Sequence, residues 1–140
     1  MGKYSIALHY YIVSYSLAKK SGSNYDVADA LYKIGLTHCY MSHFSIARDT
    51  LSSALKVAEK IQSKVLLRNI YDVYNNLESE CGNYHKAYEY LGKYLDYSEN
   101  IITEQGQKQV SFLETKFKTA QQQEKISKLN KDSEIKSLKL

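Results

Sequence analysis

The feature that most constrains the fold of this chain is an internal repeat of 40 residues. Three segments align at that shift: GKYSIALHYYIVSYSLAKK, SHFSIARDTLSSALKVAEK and GNYHKAYEYLGKYLDYSEN. Their matching columns are Gly2/Ser42/Gly82, Tyr4/Phe44/Tyr84, Ala7/Ala47/Ala87, Tyr11/Leu51/Leu91 and Tyr15/Leu55/Leu95. Because the aromatic, small and large apolar columns follow at spacings of three and four residues, they lie on one helical face. A period of this length is typical of stacked supersecondary units.

Each unit is predicted to be an antiparallel pair of helices. Two further stretches align between the segments, VADALYKIGLTHCY and LLRNIYDVYNNLESE, and their apolar stripe is Leu31/Tyr71 and Ile34/Tyr74. The 140 residues include no proline and six glycines, so few positions interrupt a helix. We expect an all-α fold with a half repeat at 1–20, repeats at about 24–60 and 64–98, and a long C-terminal helix at 101–140.

Specific packing roles follow from the columns. The alanine column lets two helices approach closely, and the aromatic column fills the space near the turn. Six of the fourteen tyrosines fall in these repeat columns. Core packing is therefore expected for Tyr4, Tyr11, Tyr71, Tyr74 and Tyr84.

This pattern resembles the tetratricopeptide repeat, whose signature is a large residue, Leu-Gly, Gly-x-Tyr-x-x-Ala and a later Ala-Leu. The complete copy consists of Leu31, Ile34, Gly35, Phe44, Ala47, Leu51, Ala54 and Leu55. The second copy has Asn75 and Tyr94 where small residues are usual, and it keeps Tyr71, Gly82, Tyr84, Ala87, Leu91 and Leu95. The resemblance implies an α-α superhelix, a right-handed stack of helical hairpins that binds a protein or peptide in its concave groove.

The first segment aligns with the second helix of a hairpin and has no first helix before it. Stacked repeats normally end in capping units with a polar outer face. We therefore expect an uncovered apolar face on this helix, formed by Tyr4, Ala7, Tyr11 and Tyr15. We interpret the sequence as part of a longer protein with further repeats upstream. The alternative is that a second molecule covers this face, so the first helix is one candidate surface for a homodimer.

The tail carries the whole excess of positive charge. Residues 1–107 hold 11 basic and 11 acidic side chains, whereas residues 108–140 hold eight lysines and four acids. Leu113, Phe117 and Ala120 have coiled-coil spacing, and with Leu129 they form the candidate stem through which two copies pair. The apolar stripe lapses at 121–124 and resumes out of phase. The alternative interpretation is a solvated helix that frays when it is alone.

A narrower resemblance covers roughly residues 82–138. GNYHKAYEYLGKYLDYSENI followed by FLETKFKTAQQQEKISKLNKDSEIKSL is similar to a junction in Bacteroidetes-type signalling proteins. There a Leu-x-x-Lys-Tyr/Phe motif, matched by Leu113, Lys116 and Phe117, begins a coiled stem that leads to a membrane span and a histidine kinase or DNA-binding output. The resemblance implies the sensor or docking part of a two-component-type regulator. It also implies repeats that face the periplasm, and membrane contact only where the full-length protein continues into a span.

Two other functions stay open. The chain is alternatively a structural adaptor or assembly scaffold, or the repeat part of a cytoplasmic DNA-binding transcriptional regulator. Its two cysteines, Cys39 and Cys81, have no disulfide-type spacing, which favours a reducing compartment over the periplasm. The first residues lack the cleavage site of a secretory signal, and no stretch reaches the roughly 20 apolar residues of a membrane span. The compartment therefore stays undecided.

The sequence points away from catalysis. His38, Cys39 and His43, echoed by Cys81 and His85, are the residues nearest to a metal-site pattern. Because adjacent residues diverge by about 100° around a helix, His38 and Cys39 do not readily share an ion. A glycine-rich phosphate loop and the partners of a Cys–His nucleophile are both missing from the sequence. We expect no catalytic residue, metal or cofactor in these 140 residues, and a kinase domain only elsewhere in a full-length protein.

The binding surface is predicted on the first helix of each hairpin. The face that lines the groove in the resembling family displays Asp29, Tyr32, Leu36, Tyr40, Asn69, Asp72, Asn76 and Glu80. This acidic and amide-rich strip suits a protein or peptide with basic or amide groups, and it lacks the cations that clamp a C-terminal carboxylate. The lysines of the tail are interspersed with acids and include no arginine, so nucleic-acid binding is not expected.

Overall fold

The computed structural model describes residues 2–138, and in this range every regular element is an α-helix. The five helices are α1 (Gly2–Ser21), α2 (Asn24–Tyr40), α3 (Phe44–Ile61), α4 (Lys64–Glu80) and α5 (Tyr84–Leu138). The predicted all-α class is confirmed. The predicted segments 1–20 and 101–140 also include Met1, Lys139 and Leu140, which lie outside the described residues.

The last helix is longer than the sequence indicated. The prediction separated a repeat helix that ends near residue 98 from a second helix that begins at 101, but α5 runs unbroken over 55 residues. The physical reason is that nothing in this stretch stops a helix, since it contains no proline and Gly92 and Gly106 stay helical. The chain forms two compact units, Met1–Ile101 and Ile102–Leu140, and α5 contributes to both.

The helices are joined by turns that recur every 20 residues. Gly22, Ser42, Gln62 and Gly82 all have positive φ values, of 77°, 60°, 53° and 80°. A left-handed residue after the last helical turn reverses the chain while the terminal carbonyls keep hydrogen-bond partners. The helix that follows begins with a serine cap in two cases: the Ser23 and Ser63 side chains accept from the backbone N–H groups of Asp26 and Leu66.

The core lies where α2, α3 and α4 meet. In the first unit α2 packs on α1, α3 and α4, and α3 also packs on α4. Gly35 of α2 faces Leu51 of α3, and both Leu51 and Ala47 are fully buried. The alanine column is buried at Ala47 and Ala87 and half-buried at Ala7. Small side chains therefore stand where helices come closest, as the columns predicted.

Two predicted core positions and one predicted face are wrong. Tyr71 and Tyr74 are buried, but Tyr4 and Tyr84 are exposed. On α1 the stripe of Ala7, Tyr11 and Tyr15, predicted to be uncovered, is half-buried. It faces α2, since Tyr4 stacks on Tyr40 and Lys33 Nζ lies over the Tyr11 ring. The reason is that α2 covers this side of α1, and the exposed side is instead Ile6, Tyr10, Val13 and Leu17.

Replacing Gly35 by alanine is expected to destabilise the protein by about 2 kcal/mol. The added Cβ would lie 2.8 Å from Leu51 Cγ and Cδ2, and the fully buried Leu51 has no room to move. The matched control is Gly92→Ala, because a Cβ at Gly92 meets nothing within 4 Å and α5 gains about 0.5–1 kcal/mol of helix propensity. Thermal unfolding followed by circular dichroism measures both changes in stability. If both variants change stability in the same direction, the expected clash of the added Cβ with Leu51 is contradicted.

Candidate functional site

Four of the eight predicted groove residues line one depression between the C-terminal halves of α2 and α4. Leu36 and Tyr40 contribute from α2, and Asn76 and Glu80 contribute from α4. The buried side chains of Val73 and Leu77 form an apolar floor, and the depression has a volume of about 490 Å³. The spacing of four residues within each helix keeps these side chains on one face. An apolar floor with a polar rim is suited to a peptide segment.

The other four predicted groove residues do not line this depression. Asp29 pairs with Lys33 of its own helix at 2.9 Å, and the Oδ1 atom of Asn69 accepts hydrogen bonds from the Arg68 guanidinium. Burial, followed by the nearby Asp72 carboxylate, raises the pKa of Tyr32. Tyr32 and Asp72 lie four residues before Leu36 and Asn76, so they continue the α2 and α4 rows. The Asp29 carboxylate and the Asn69 Oδ1 atom already have partners on their own helices.

A partly buried ion pair holds α4 against α3 beside this surface. The Arg48 Nε atom donates to Glu78 Oε1 at 2.7 Å, and the Asn83 Nδ2 atom donates to Glu78 Oε2 at 2.6 Å. Burial alone would raise the pKa of the Glu78 carboxyl, but these two hydrogen bonds and the Arg48 charge hold it below its usual range. Glu78 is thus a structural anion, and sequence spacing could not reveal its pairing with a residue thirty positions away.

The positions equivalent to Glu78 and Asn83 carry a histidine pair in the preceding hairpin. His38 and His43, which align with Glu78 and Asn83, bring their Nδ1 atoms to 3.3 Å. Burial, followed by the charge of His43, lowers the pKa of His38. Cys39, the third residue of the metal-like pattern, is half-buried, and burial first and Glu80 second raise the pKa of its thiol to about 11. No cluster of three or more metal-type ligands forms among residues 2–138.

Stacked tyrosines join α4 to the first part of α5. Tyr90 stacks on Tyr74 at 4.8 Å and on Tyr71 at 6.0 Å, and Tyr97 stacks on Tyr71 at 6.0 Å. The sequence analysis assigned Tyr71 and Tyr74 to the core but missed Tyr90 and Tyr97. Their separation of seven residues, two helical turns, was the available signal. Offset aromatic stacking adds to the area that these rings bury.

The predicted stem residues lie in the second unit, on exposed helix. Leu113, Phe117 and Ala120 share one stripe of α5, but the unbroken helix places Leu129 about 160° around the axis from Leu113. Leu129 therefore does not lie on the face that the other three share. The structure brings three of the four stem residues to one face.

Comparisons with other proteins leave the chain without a family assignment. No protein-family model matches the sequence, and no curated protein is significantly similar to it. Among the described helices, none combines the length and the apolar character that crossing a membrane requires. The function must therefore be argued from the geometry of the surfaces.

Stability is expected to fall as the pH drops below about 6.5, the unperturbed pKa of histidine. Because the pKa of folded His38 is lowered, the unfolded chain binds more protons in this window, and stability rises with pH there. Two protonated rings would also set two Nδ1–H donors against each other at 3.3 Å. Urea unfolding at pH 5.5 and pH 7.5 measures the effect.

The variant His43→Asn provides the control for this pH dependence. Asparagine is the residue at the equivalent position of the next hairpin, Asn83, and it carries no charge. The loss of stability between pH 7.5 and 5.5 should be smaller in this variant than in the parent. An unchanged pH profile would show that the histidine pair has no part in it.

Proposed function

We propose that the chain is a non-catalytic module of tetratricopeptide-like repeats that binds a protein or peptide in the surface between α2 and α4. The depression lined by Leu36, Tyr40, Asn76 and Glu80 carries this proposal. The order of helices and their contacts support the repeat assignment, since α2 with α3 and α4 with α5 are consecutive pairs joined by tight turns. Neighbouring first helices, α2 and α4, also pack on each other, as stacked repeats require.

The chemistry of this surface favours a ligand with basic or amide groups. Asp72 and Glu80 are exposed acids on α4, and Asn76 lies between them with both a donor and an acceptor. Val73 and Leu77 supply the apolar floor on which an aliphatic or aromatic ligand side chain is desolvated. A lysine or arginine of the ligand would form charge-assisted hydrogen bonds at the rim, where it also fixes the orientation of the peptide.

The wider proposal places this module in a signalling protein. The resemblance of residues 82–138 to the repeat-stem junction supports a sensor or docking part of a two-component-type regulator, with pairing through α5. The face formed by Leu113, Phe117 and Ala120 is exposed over its whole length, and a second α5 helix would bury it. The two alternative functions, a structural adaptor and a DNA-linked cytoplasmic regulator, would use the same peptide-binding surface. They differ from the signalling proposal only in the output of the full-length protein.

Peptides selected from a random display library with the 140-residue chain as bait are expected to be rich in lysine, arginine, asparagine and glutamine. Glu80→Lys should weaken the binding of a selected peptide by about tenfold, because a charge-assisted contact at the rim of the depression is replaced by repulsion. Asp96→Lys is the matched control, since it makes the same charge change at an exposed site on α5. Titration calorimetry measures both affinities, and equal affinities for the two variants would dismiss this surface as the site.

Sedimentation equilibrium is expected to show a dimer of the parent chain that Leu113→Lys with Phe117→Lys converts to a monomer. Lysines on the shared face bring like charges together where apolar side chains pair. Phe112→Lys is the control, because Phe112 is as exposed as Leu113 but lies off that face. A parent chain that stays monomeric at all concentrations would contradict pairing through α5.

A further inference from the structure

The face of α1 that points away from α2 carries a stripe of exposed apolar side chains. Ile6, Tyr10, Val13 and Leu17 follow one another at spacings of four, three and four residues and therefore form one line along the helix. Their exposed fractions are 61%, 67%, 43% and 61%. The opposite face of α1, with Tyr11, Tyr15 and Ala18, is the one that packs on α2. Two large apolar stripes on one helix call for two covering elements.

The repeat identifies what covers this stripe elsewhere in the chain. A shift of 80 residues carries the four positions onto α5, at Lys86, Tyr90, Lys93 and Tyr97. There Tyr90 and Tyr97 stack on the tyrosines of α4, and Lys93 Nζ lies 5.1 Å from the centroid of the Tyr71 ring. Lys86 also acts on Glu78 of α4 through its charge. Tyr90, Lys93 and Tyr97 thus lie against the preceding helix, so the geometry that fits the α1 stripe is that of an antiparallel helix.

Charge defines the partner further. The helix α1 carries no aspartate or glutamate, and its charged residues are Lys3, Lys19 and Lys20, all exposed. A helix antiparallel to α1 on this stripe places its N-terminal half beside Lys20, whereas Lys19 Nζ lies over the Tyr15 ring on the α2-facing side. In α2, which holds the equivalent place before α3, that half carries Asp26 and Asp29. Acids at this end of an incoming helix would find basic partners and would also suit the positive end of its own dipole.

A second copy of α1 fits the stripe poorly. A two-fold antiparallel pair would set Lys3 of one copy against Lys19 and Lys20 of the other. A parallel pair would set Lys19 and Lys20 against the same residues of the other copy. Both arrangements bring like charges together without any acid on either helix.

We propose that the outer face of α1 binds an acidic amphipathic helix of a partner protein. The incoming helix lies antiparallel to α1, buries Ile6, Tyr10, Val13 and Leu17 under its apolar stripe, and directs acidic residues at Lys20. This surface is separate from the depression between α2 and α4, so the two sites are independent. Every residue of the proposed α1 site lies within α1 itself.

The probe for this site is a synthetic peptide with the sequence of residues 23–41, carrying Cys39→Ser to prevent oxidation. It has the apolar stripe and the two N-terminal acids that the proposal requires. Fluorescence anisotropy with the 140-residue chain should show saturable binding. Tyr10→Ser with Leu17→Ser should weaken binding by about tenfold or more. The control pair Val65→Ser with Tyr88→Ser, whose side chains are also exposed on α4 and α5, should leave binding unchanged.

Substitutions of charged residues test the proposed contact between acids of the incoming helix and the lysine of α1. A peptide with Asp26→Asn and Asp29→Asn should bind about threefold or more weakly at low salt, and Lys20→Glu in the chain should abolish the preference for the acidic peptide. Absence of binding, or binding that ignores Tyr10→Ser with Leu17→Ser, overturns the proposal. A parent dimer that these two serines convert to a monomer also overturns it, because the stripe would then be a self-interface.

Discussion

The close approach of α2 and α3 at Gly35 is the constraint on which the first unit depends. Leu51 occupies the space that a Cβ at Gly35 would need, and Ala47 lies next to it on α3. Because both side chains are fully buried there, the two helix axes are held close enough for α4 to pack on both. The surface between α2 and α4 follows from this arrangement, since it exists only while α3 holds the two first helices side by side.

Equivalent positions of the two hairpins serve the same mechanical purpose with different chemistry. Glu78 and Asn83 bridge the turn before α5 with a charged hydrogen bond, and His38 and His43 bridge the turn before α3 with two imidazoles. The backbone geometry is shared, since His43 N donates to His38 O and Asn83 N donates to Glu78 O, both at 2.8 Å. The histidine bridge is expected to respond to pH near neutrality and the Glu78–Asn83 bridge is not, because carboxyl and imidazole groups titrate in different ranges.

The two proposed binding surfaces differ in character because the helices that form them have different neighbours. The α2–α4 surface is polar at its rim and apolar at its floor, so it presents hydrogen-bonding groups beside a small desolvated area. The outer face of α1 is apolar over about three turns and flanked by lysines, so it presents area and charge but few directional groups. The proposed peptide and the proposed acidic helix are therefore distinct kinds of ligand, and they would contact different residues.

By itself the sequence determined the helical class, the 40-residue unit, and the burial of Ala47, Leu51, Tyr71 and Tyr74. These depend on local spacing and on the absence of proline, which every helix expresses on its own. Tertiary structure alone decided which of two apolar stripes of α1 is covered, that Tyr84 is exposed, and that Arg48 pairs with Glu78. Periodicity shows that a face is apolar, but only the position of the neighbouring helix decides whether water reaches it.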